Sequence, residues 1–281
     1  MTKNALPVDS RPRGIYYRPK VIIRPGSDTN SFVLWINYMD PIPRGDDYLG
    51  HYLTAEANDP AGPYQVRDPD VRMTEKQGIY CDFDIHLVSD TAYMVYTVWK
   101  SHGKPVQNTH IKVEQLSADF LGSSGKTSAI FLPFPHQLHP GGADEAPAMF
   151  QRKGIYYVLF GHGCCFCAGG SGVNVFSATH PLGPYSSANA SYDIGCQTEP
   201  GHTPDIGKCE SVAKAQQNSV FPVITTTGME FVWTGDRWQS AEDRLKAHDH
   251  QFWTILRFDD AVQPARIKHM EWVDSIDLEL R

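Results

Sequence analysis

A small set of polar side chains, scattered from one end of the chain to the other, could do chemistry together: Arg18, Lys20, Asp82, Asp84, Glu145, Gln216 and Asn218. Each stands at or near the start of an apolar, strand-like run. A carboxylic acid in such a place can protonate a leaving oxygen, a second carboxylate can tune it, and an amide can orient a water molecule. Glu145 opens the stretch Asp144-Glu145-Ala146-Pro147-Ala148-Met149-Phe150. Pro147 removes a backbone donor and favours an extended entry, which suits the mouth of a channel. A carboxylate in a surface turn would satisfy the same spacing, and the residues alone leave both readings open. Strand alternation places Asp82, Asp84 and His86 on one face of their strand, and Gln216 and Asn218 likewise on one face of theirs. Charges gathered from four distant segments are costly to bury unless they serve a site.

What must position these groups is a series of β-hairpins. Residues 20–23 turn at Pro25-Gly26 and return over 32–36; 85–88 turn at Ser89-Asp90 and return over 92–96. Residues 148–150 turn at Lys153-Gly154 and return over 156–160, and 220–223 turn near Thr227-Gly228 and return over 230–233. Alternation and turn residues predict a hairpin in each case. The opening residues recur at steps of 64 (Arg18 to Asp82), 61 (Asp84 to Glu145) and 71 (Glu145 to Gln216). Repeats of that length hold about four strands and suit propeller blades better than a sandwich. The Pro-x-Gly-Pro-Tyr runs starting at Pro60 and Pro181 echo one another 121 residues apart, two blades on. In a propeller the first strand of each blade lines the central channel, so the polar residues above converge on the axis. The expected architecture is all-β, a five-bladed propeller whose first blade is either complete or incomplete, forming a single domain over residues 1–281.

Composition agrees. Aromatics, which favour strands, are abundant, with 13 Tyr, 13 Phe and 6 Trp, and 23 Gly and 20 Pro supply turns; together they lean towards an all-β fold. A net charge of −7 with one short basic cluster, Arg11 to Lys20, argues against a nucleic-acid binder. No apolar run approaches the roughly 20 residues that span a bilayer. The opening MTKNALPVDS lacks the apolar core of a signal peptide. Six cysteines in a loop-rich chain and a sequon at Asn189 nevertheless point to a secreted or secretory-pathway protein.

Several motifs fall away on inspection. Gly122 to Thr127 is no phosphate loop, because the first glycine of that motif would fall at Phe120, and it reads as a hairpin tip. His-Glu-x-x-His is absent from the sequence, as is a serine nucleophile elbow. The Gly163-Cys164-Cys165-Phe166-Cys167 segment has thiols for zinc, but adjacent cysteines rarely ligate one metal and no C-x-x-C partner exists.

The run Glu145-Ala-Pro-Ala-Met-Phe-Gln-Arg-Lys-Gly-Ile-Tyr-Tyr resembles the blade of glycoside hydrolase family 43 that carries the general acid. Arg18-Pro19-Lys20-Val21-Ile22, Asp84-Ile-His-Leu-Val, the Gly-Pro-Tyr loops and Thr234-Gly235-Asp236-Arg237-Trp238 follow in that family's order, over residues 18 to 256. Ala215-Gln216-Gln217-Asn218-Ser219 resembles the blade opening of the exo-β-1,3-galactanase-like subgroup. The resemblance implies Glu145 as acid and Asp84 as its pKa-modulating, orienting partner. It gives Gln216, or its neighbour Gln217, the water-positioning role. Asp40, Asp82, Asn218, Arg237, Trp238 and Trp35 become candidate substrate contacts. In Gly-Asp-Arg-Trp, Arg237 is equally able to pair with Asp236. The Cys164–Cys165 pair resembles the vicinal disulfide of a Cys-Cys-x-Cys branch, with Cys196–Cys209 closing a second loop and Cys81 and Cys167 left to pair or stay free. No cofactor is implied beyond a structural calcium on the axis, for which His86 or His250 is a candidate.

Inversion at a glycosidic bond needs an acid and an opposed base roughly 6.5–9.5 Å apart. The N-terminal Asp-bearing strand that supplies the family's usual base has no counterpart in this sequence, and an amide is a poor base. Two readings therefore stand: an exo-acting, inverting glycosidase on galactose- or arabinose-containing polysaccharide, and a catalytically silent, lectin-like propeller. Both expect a carbohydrate partner and a monomer.

Overall fold

The computed structural model describes residues 5–6, 14–26, 29, 31–39, 50–75, 79–99, 109–129, 144–161, 167–187, 194–195 and 213–281. Their architecture is all-β. A first blade is the antiparallel meander β1 (Ile15–Ile23), β2 (Phe32–Met39), β3 (Gly50–Ala57) and β4 (Gln65–Val71). A second follows as β5 (Ile79–Val88), β6 (Thr91–Trp99), β7 (Thr109–Leu116) and β8 (Ser123–Thr127). The third holds β9 (Glu145–Arg152), β10 (Ile155–Gly161) and β11 (Asn174–Ala178), and the fourth β12 (Gln216–Thr225), β13 (Gly228–Asp236) and β14 (Gln251–Ile255). A short ribbon, β15 (Phe258–Asp259) with β16 (Arg266–Ile267), packs beside the third blade through Phe258 against Phe150 and Tyr157.

All four expected hairpins form, as β1–β2, β5–β6, β9–β10 and β12–β13. One expectation is corrected. Residues 123–127 are not a hairpin tip but the exposed edge strand β8, paired to β7 at Leu116↔Ser123 and Glu114↔Thr127. Its small polar residues suit an edge that meets water.

Alternation sends one face of each blade into a seam with the next. Val33, Trp35 and Tyr52 of the first blade meet Phe83, Met94 and Tyr96 of the second. Val95, Ile111 and Val113 then meet Met149, Val158 and Phe160 of the third. Ala148, Phe150 and Leu159 meet Val220, Phe231 and Trp233 of the fourth. Each fully buried large side chain in these seams contributes about 1.5–3 kcal/mol of transfer free energy. The outer face of the first blade, Leu34, Ile36 and Leu53, is covered by Ala5 and Leu6.

The Pro-x-Gly-Pro-Tyr loops are built alike. Tyr64 donates its hydroxyl to Pro60 O at 2.8 Å, and Tyr185 donates to Pro181 O at 2.7 Å. Gly62 and Gly183 carry φ of +89° and +83°, a region that disfavours side chains. The echo in sequence is an echo in structure.

Candidate active site on the converging inner strands

The inner strands β1, β5, β9 and β12 come together, and each departs from regular pairing near a polar residue. Register shifts fall between Tyr17 and Lys20, between Tyr80 and Phe83, opposite Leu159–Gly161 where Glu145 enters, and between Gln217 and Ser219. Bulges re-aim side chains that alternation alone would send elsewhere. Arg18 and Ala146 sit at φ +45° and +55°, each immediately before a proline. A left-handed non-glycine residue costs roughly 1–2 kcal/mol, and such strain clusters at functional sites.

Two buried ion pairs bridge the first and second blades. Arg18 Nε lies 2.7 Å from Asp82 Oδ1, and Lys20 Nζ 3.0 Å from Asp84 Oδ1. The fourth blade closes on both. Arg18 donates through Nη2 to Gln217 O at 3.0 Å, and Lys20 to Asn218 Oδ1 at 3.3 Å. Ser219 donates to Asp84 at 3.3 Å and Gln216 Nε2 to Asp82 Oδ2 at 3.4 Å. Burial acts to lower the Arg18 pKa, but Asp82 and then Asp236 outweigh it and hold the guanidinium above its ordinary value. Asp82, Asp84, Gln216 and Asn218 are thus gathered as the sequence implies, with Arg18 and Lys20 neutralising both aspartates.

Glu145 is the first residue of β9, 6% exposed, opposite Gly161 in β10. Its entry is tethered where Asp144 N–H donates to Thr109 Oγ1 at 2.6 Å. It lies close enough to Cys81 for its charge to matter there. Burial first, then the charges of Asp82 and Glu145, push the Cys81 thiol well above its ordinary pKa. Cys81 is a free, buried cysteine beside Asp82, and sequence reasoning assigned it no place in the site. Its signal was the position immediately before Asp82 on a channel strand.

The adjacent glutamines part company. Gln216 Oε1 accepts from Trp238 Nε1 at 2.8 Å, so its amide is held between Trp238 and Asp82. Gln217 is fully enclosed. Its Nε2 donates to Ala146 O and Leu159 O, and its Oε1 accepts from Trp233 Nε1 at 2.9 Å. Gln217 ties the third blade to the fourth and is not a water-positioning or substrate group. Trp35 is likewise corrected: it is 0% exposed and donates Nε1 to Phe120 O at 2.8 Å, so no face is open to a sugar. Trp238 keeps one face under Lys246 Nζ, 3.8 Å from the ring centroid. Arg237 pairs with neither Asp236 nor a channel carboxylate; it lies over the Trp272 ring at 4.9 Å, on the outer part of the blade. Asp236 instead accepts from Asn218 at 3.1 Å and from Gln251.

Asp40 and the cysteines Cys164, Cys165, Cys196 and Cys209 lie outside the described residues. Cys167 is disulfide-bonded and Cys81 is free, so the partner of Cys167 is one of those four cysteines and the expected Cys164–Cys165 and Cys196–Cys209 pairs cannot both form. His86 follows Asp84 on the same face; burial lowers its pKa, with Asp84 opposing, and its buried Nε2 has no hydrogen-bond partner. Calcium seeks six to eight oxygen ligands. Among the described residues no group of three or more His, Cys, Asp or Glu could hold a metal, and His86 offers a single nitrogen. His250 is exposed, with its backbone bonded to Arg237 and Ser240. These residues do not form a protein-built calcium cage.

Comparison with known proteins places this arrangement. Residues 38–221 match the family model described as glycosyl hydrolases family 43. No curated protein sequence is significantly similar to the chain. Among solved structures, the exo-β-1,3-galactanase from Phanerochaete chrysosporium with galactose is similar at 19% identity, over 96% of this chain and 52% of that one, with a TM-score of 0.65. The exo-β-1,3-galactanase from Clostridium thermocellum is similar at 17% identity, over 97% and 55%, with a TM-score of 0.67. A thermostable family-43 glycoside hydrolase is similar at 16% identity, over 99% and 83%, with a TM-score of 0.62. The chain spans about half the length of the two galactanases. At these identities the likeness is one of fold, the five-bladed β-propeller of that family, of which four blades and the ribbon lie among the described residues. A family match over well over half of the sequence, together with this fold, makes the chain a member of glycosyl hydrolases family 43.

Proposed function

We propose that the protein is an exo-acting, inverting glycosidase that releases galactose from β-1,3-linked galactan, with Glu145 as the general acid. The observation that carries this is the burial of Glu145 at the head of β9, beside the Cys81–Asp82 end of β5. A carboxylic acid there would hand its proton to the glycosidic oxygen as the bond breaks, a role worth typically 10²–10⁴ in rate. Gln216, fixed by Trp238 and Asp82, orients the attacking water, whose oxygen bonds the anomeric carbon as its proton passes to solvent, since the amide itself does not accept it. Asp84, held by Lys20 and Ser219, is the orienting partner of the acid. Asp82, Asn218 and Trp238 border the sugar, with Asp40 a further contact. Galactose and β-1,3-galactotriose in the Phanerochaete chrysosporium galactanase structures support the substrate class. The same reading takes residues 1–281 as one secreted, monomeric propeller domain.

A second reading, a carbohydrate-binding propeller without catalysis, is favoured by one observation: Asp82 and Asp84 each face a cation, which leaves neither poised to take a proton. Hydrolysis of β-1,3-galactan by wild type and Glu145→Gln separates the two. Galactose release lost in the variant, with galactan binding retained, supports the enzyme; binding without release by either protein leaves the module.

A further inference from the structure

The geometry points to a second carbohydrate subsite at the outer edge of the fourth blade, where Arg237 receives the carboxylate of an acidic sugar unit. A cleft of about 530 Å³ opens there between β14 and residues 272–276. Arg237 lines it, and among the described residues its guanidinium has no hydrogen bond and no ion pair; its Nε is buried without an acceptor. Trp272 holds the guanidinium by stacking at 4.9 Å, and is itself stacked on Phe252 at 4.6 Å. Arg237 is therefore fixed in place and electrically unanswered, in a chain whose net charge is −7. A planar fork of this kind matches a carboxylate through two parallel hydrogen bonds.

The remaining lining fits a sugar. Trp253 is 49% exposed and touches Phe221 edge-on, which leaves ring surface open to the cleft. Indole surface of this kind is a platform for the apolar face of a pyranose. Gln251 adds an amide. Asp274, the one carboxylate in the lining, accepts from Trp272 Nε1 at 3.0 Å, so an acidic ligand must approach from the Arg237 side. The position matters as well. Gln216, Asp236 and Gln251 are successive cross-strand partners in β12, β13 and β14. The cleft therefore lies two strand spacings, about 10 Å, outward from Gln216 at the same end of the blade. A polysaccharide chain reaching the inner site can place a neighbouring or branching uronate there.

This inference rests on the proposed function only in taking the ligand to be carbohydrate. Its test is binding of methyl β-D-glucuronide and methyl β-D-galactoside to the full chain, by titration calorimetry at low and moderate salt. The glucuronide is expected to bind at least about tenfold more tightly, weakening as salt rises. Arg237→Gln should reduce its affinity at least about tenfold, Arg237→Lys less, and Trp253→Ala should weaken it while leaving the salt dependence in place. Equal affinity for the two glycosides, or glucuronide binding unchanged in folded Arg237→Gln, overturns the subsite. Galactan hydrolysis is measured separately. A protein that binds glucuronide through Arg237 yet cleaves nothing keeps the subsite and loses the glycosidase; one that cleaves galactan and ignores glucuronide does the reverse.

Discussion

The polar channel and the apolar seam between the third and fourth blades meet at two adjacent glutamines, and the contrast between them shows how the fold divides stability from function. Gln217 points into the seam and satisfies two carbonyls and an indole N–H that would otherwise be buried unpaired. Gln216 points to the channel, where its amide is aimed by Trp238 and Asp82 but encloses nothing. One peptide step separates a residue that holds blades together from one that faces the polar channel.

Breaking the channel's charge balance should have the largest effect on stability. Arg18→Met leaves Asp82 buried without its cation, and removal of one partner of a buried pair costs about 3–5 kcal/mol. Urea denaturation should show that loss, and Arg18→Met/Asp82→Leu should recover part of it. In the seam, Gln217→Ala strands two carbonyls and the Trp233 N–H. At about 1–3 kcal/mol for each unsatisfied group, a loss near 3 kcal/mol is expected in the same measurement. Gln216→Ala sharpens the contrast from the other side. Its stability should fall by less than about 1 kcal/mol, because water can reach the partly exposed Trp238. Galactan hydrolysis by the same variant should fall about a hundredfold as the attacking water loses its orientation.

The smallest effect concerns His86. Its folded pKa lies below the ordinary value of about 6.5, chiefly through burial, so the unfolded chain binds more protons between those two values. Stability is then full above about pH 6.5 and declines as the pH falls through that window towards the folded pKa. Denaturation midpoints measured from pH 7.5 to 5.5 should drop in wild type and flatten in His86→Gln. A midpoint that rises on acidification would show the imidazolium to be welcomed by Asp84 rather than excluded by burial.

Much of this was legible in the sequence, for reasons that lie in local chemistry. Pro25-Gly26, Ser89-Asp90, Lys153-Gly154 and Thr227-Gly228 mark turns, and the apolar alternation on either side fixes the hairpins. Polar residues opening apolar strands named Arg18, Lys20, Asp82, Asp84, Glu145 and Gln216. What strict alternation could not supply is the bulges. The shift between Gln217 and Ser219 turns both Asn218 and Ser219 towards the channel cations and aspartates. Regular spacing gives no means of choosing between Gln216 and Gln217, nor of enclosing Trp35 in a seam. Arg237 followed Asp236 in sequence and was read with it; only the packing of Trp272, 35 residues further on, shows that it turns outward. Cys81, hidden among cysteines counted for bridges, became part of the site only once β5 lay beside β9.

The most direct test of the central claim compares leaving groups. An acid at Glu145 matters most when the departing oxygen needs a proton and least when it does not. Wild type and Glu145→Gln should therefore be compared on β-1,3-galactobiose and on 2,4-dinitrophenyl β-D-galactoside. A loss of about 10²–10⁴ in kcat/KM on the disaccharide, with a far smaller loss on the dinitrophenyl glycoside, is the predicted result. Equal losses on both substrates, or undiminished cleavage of the disaccharide, would contradict it.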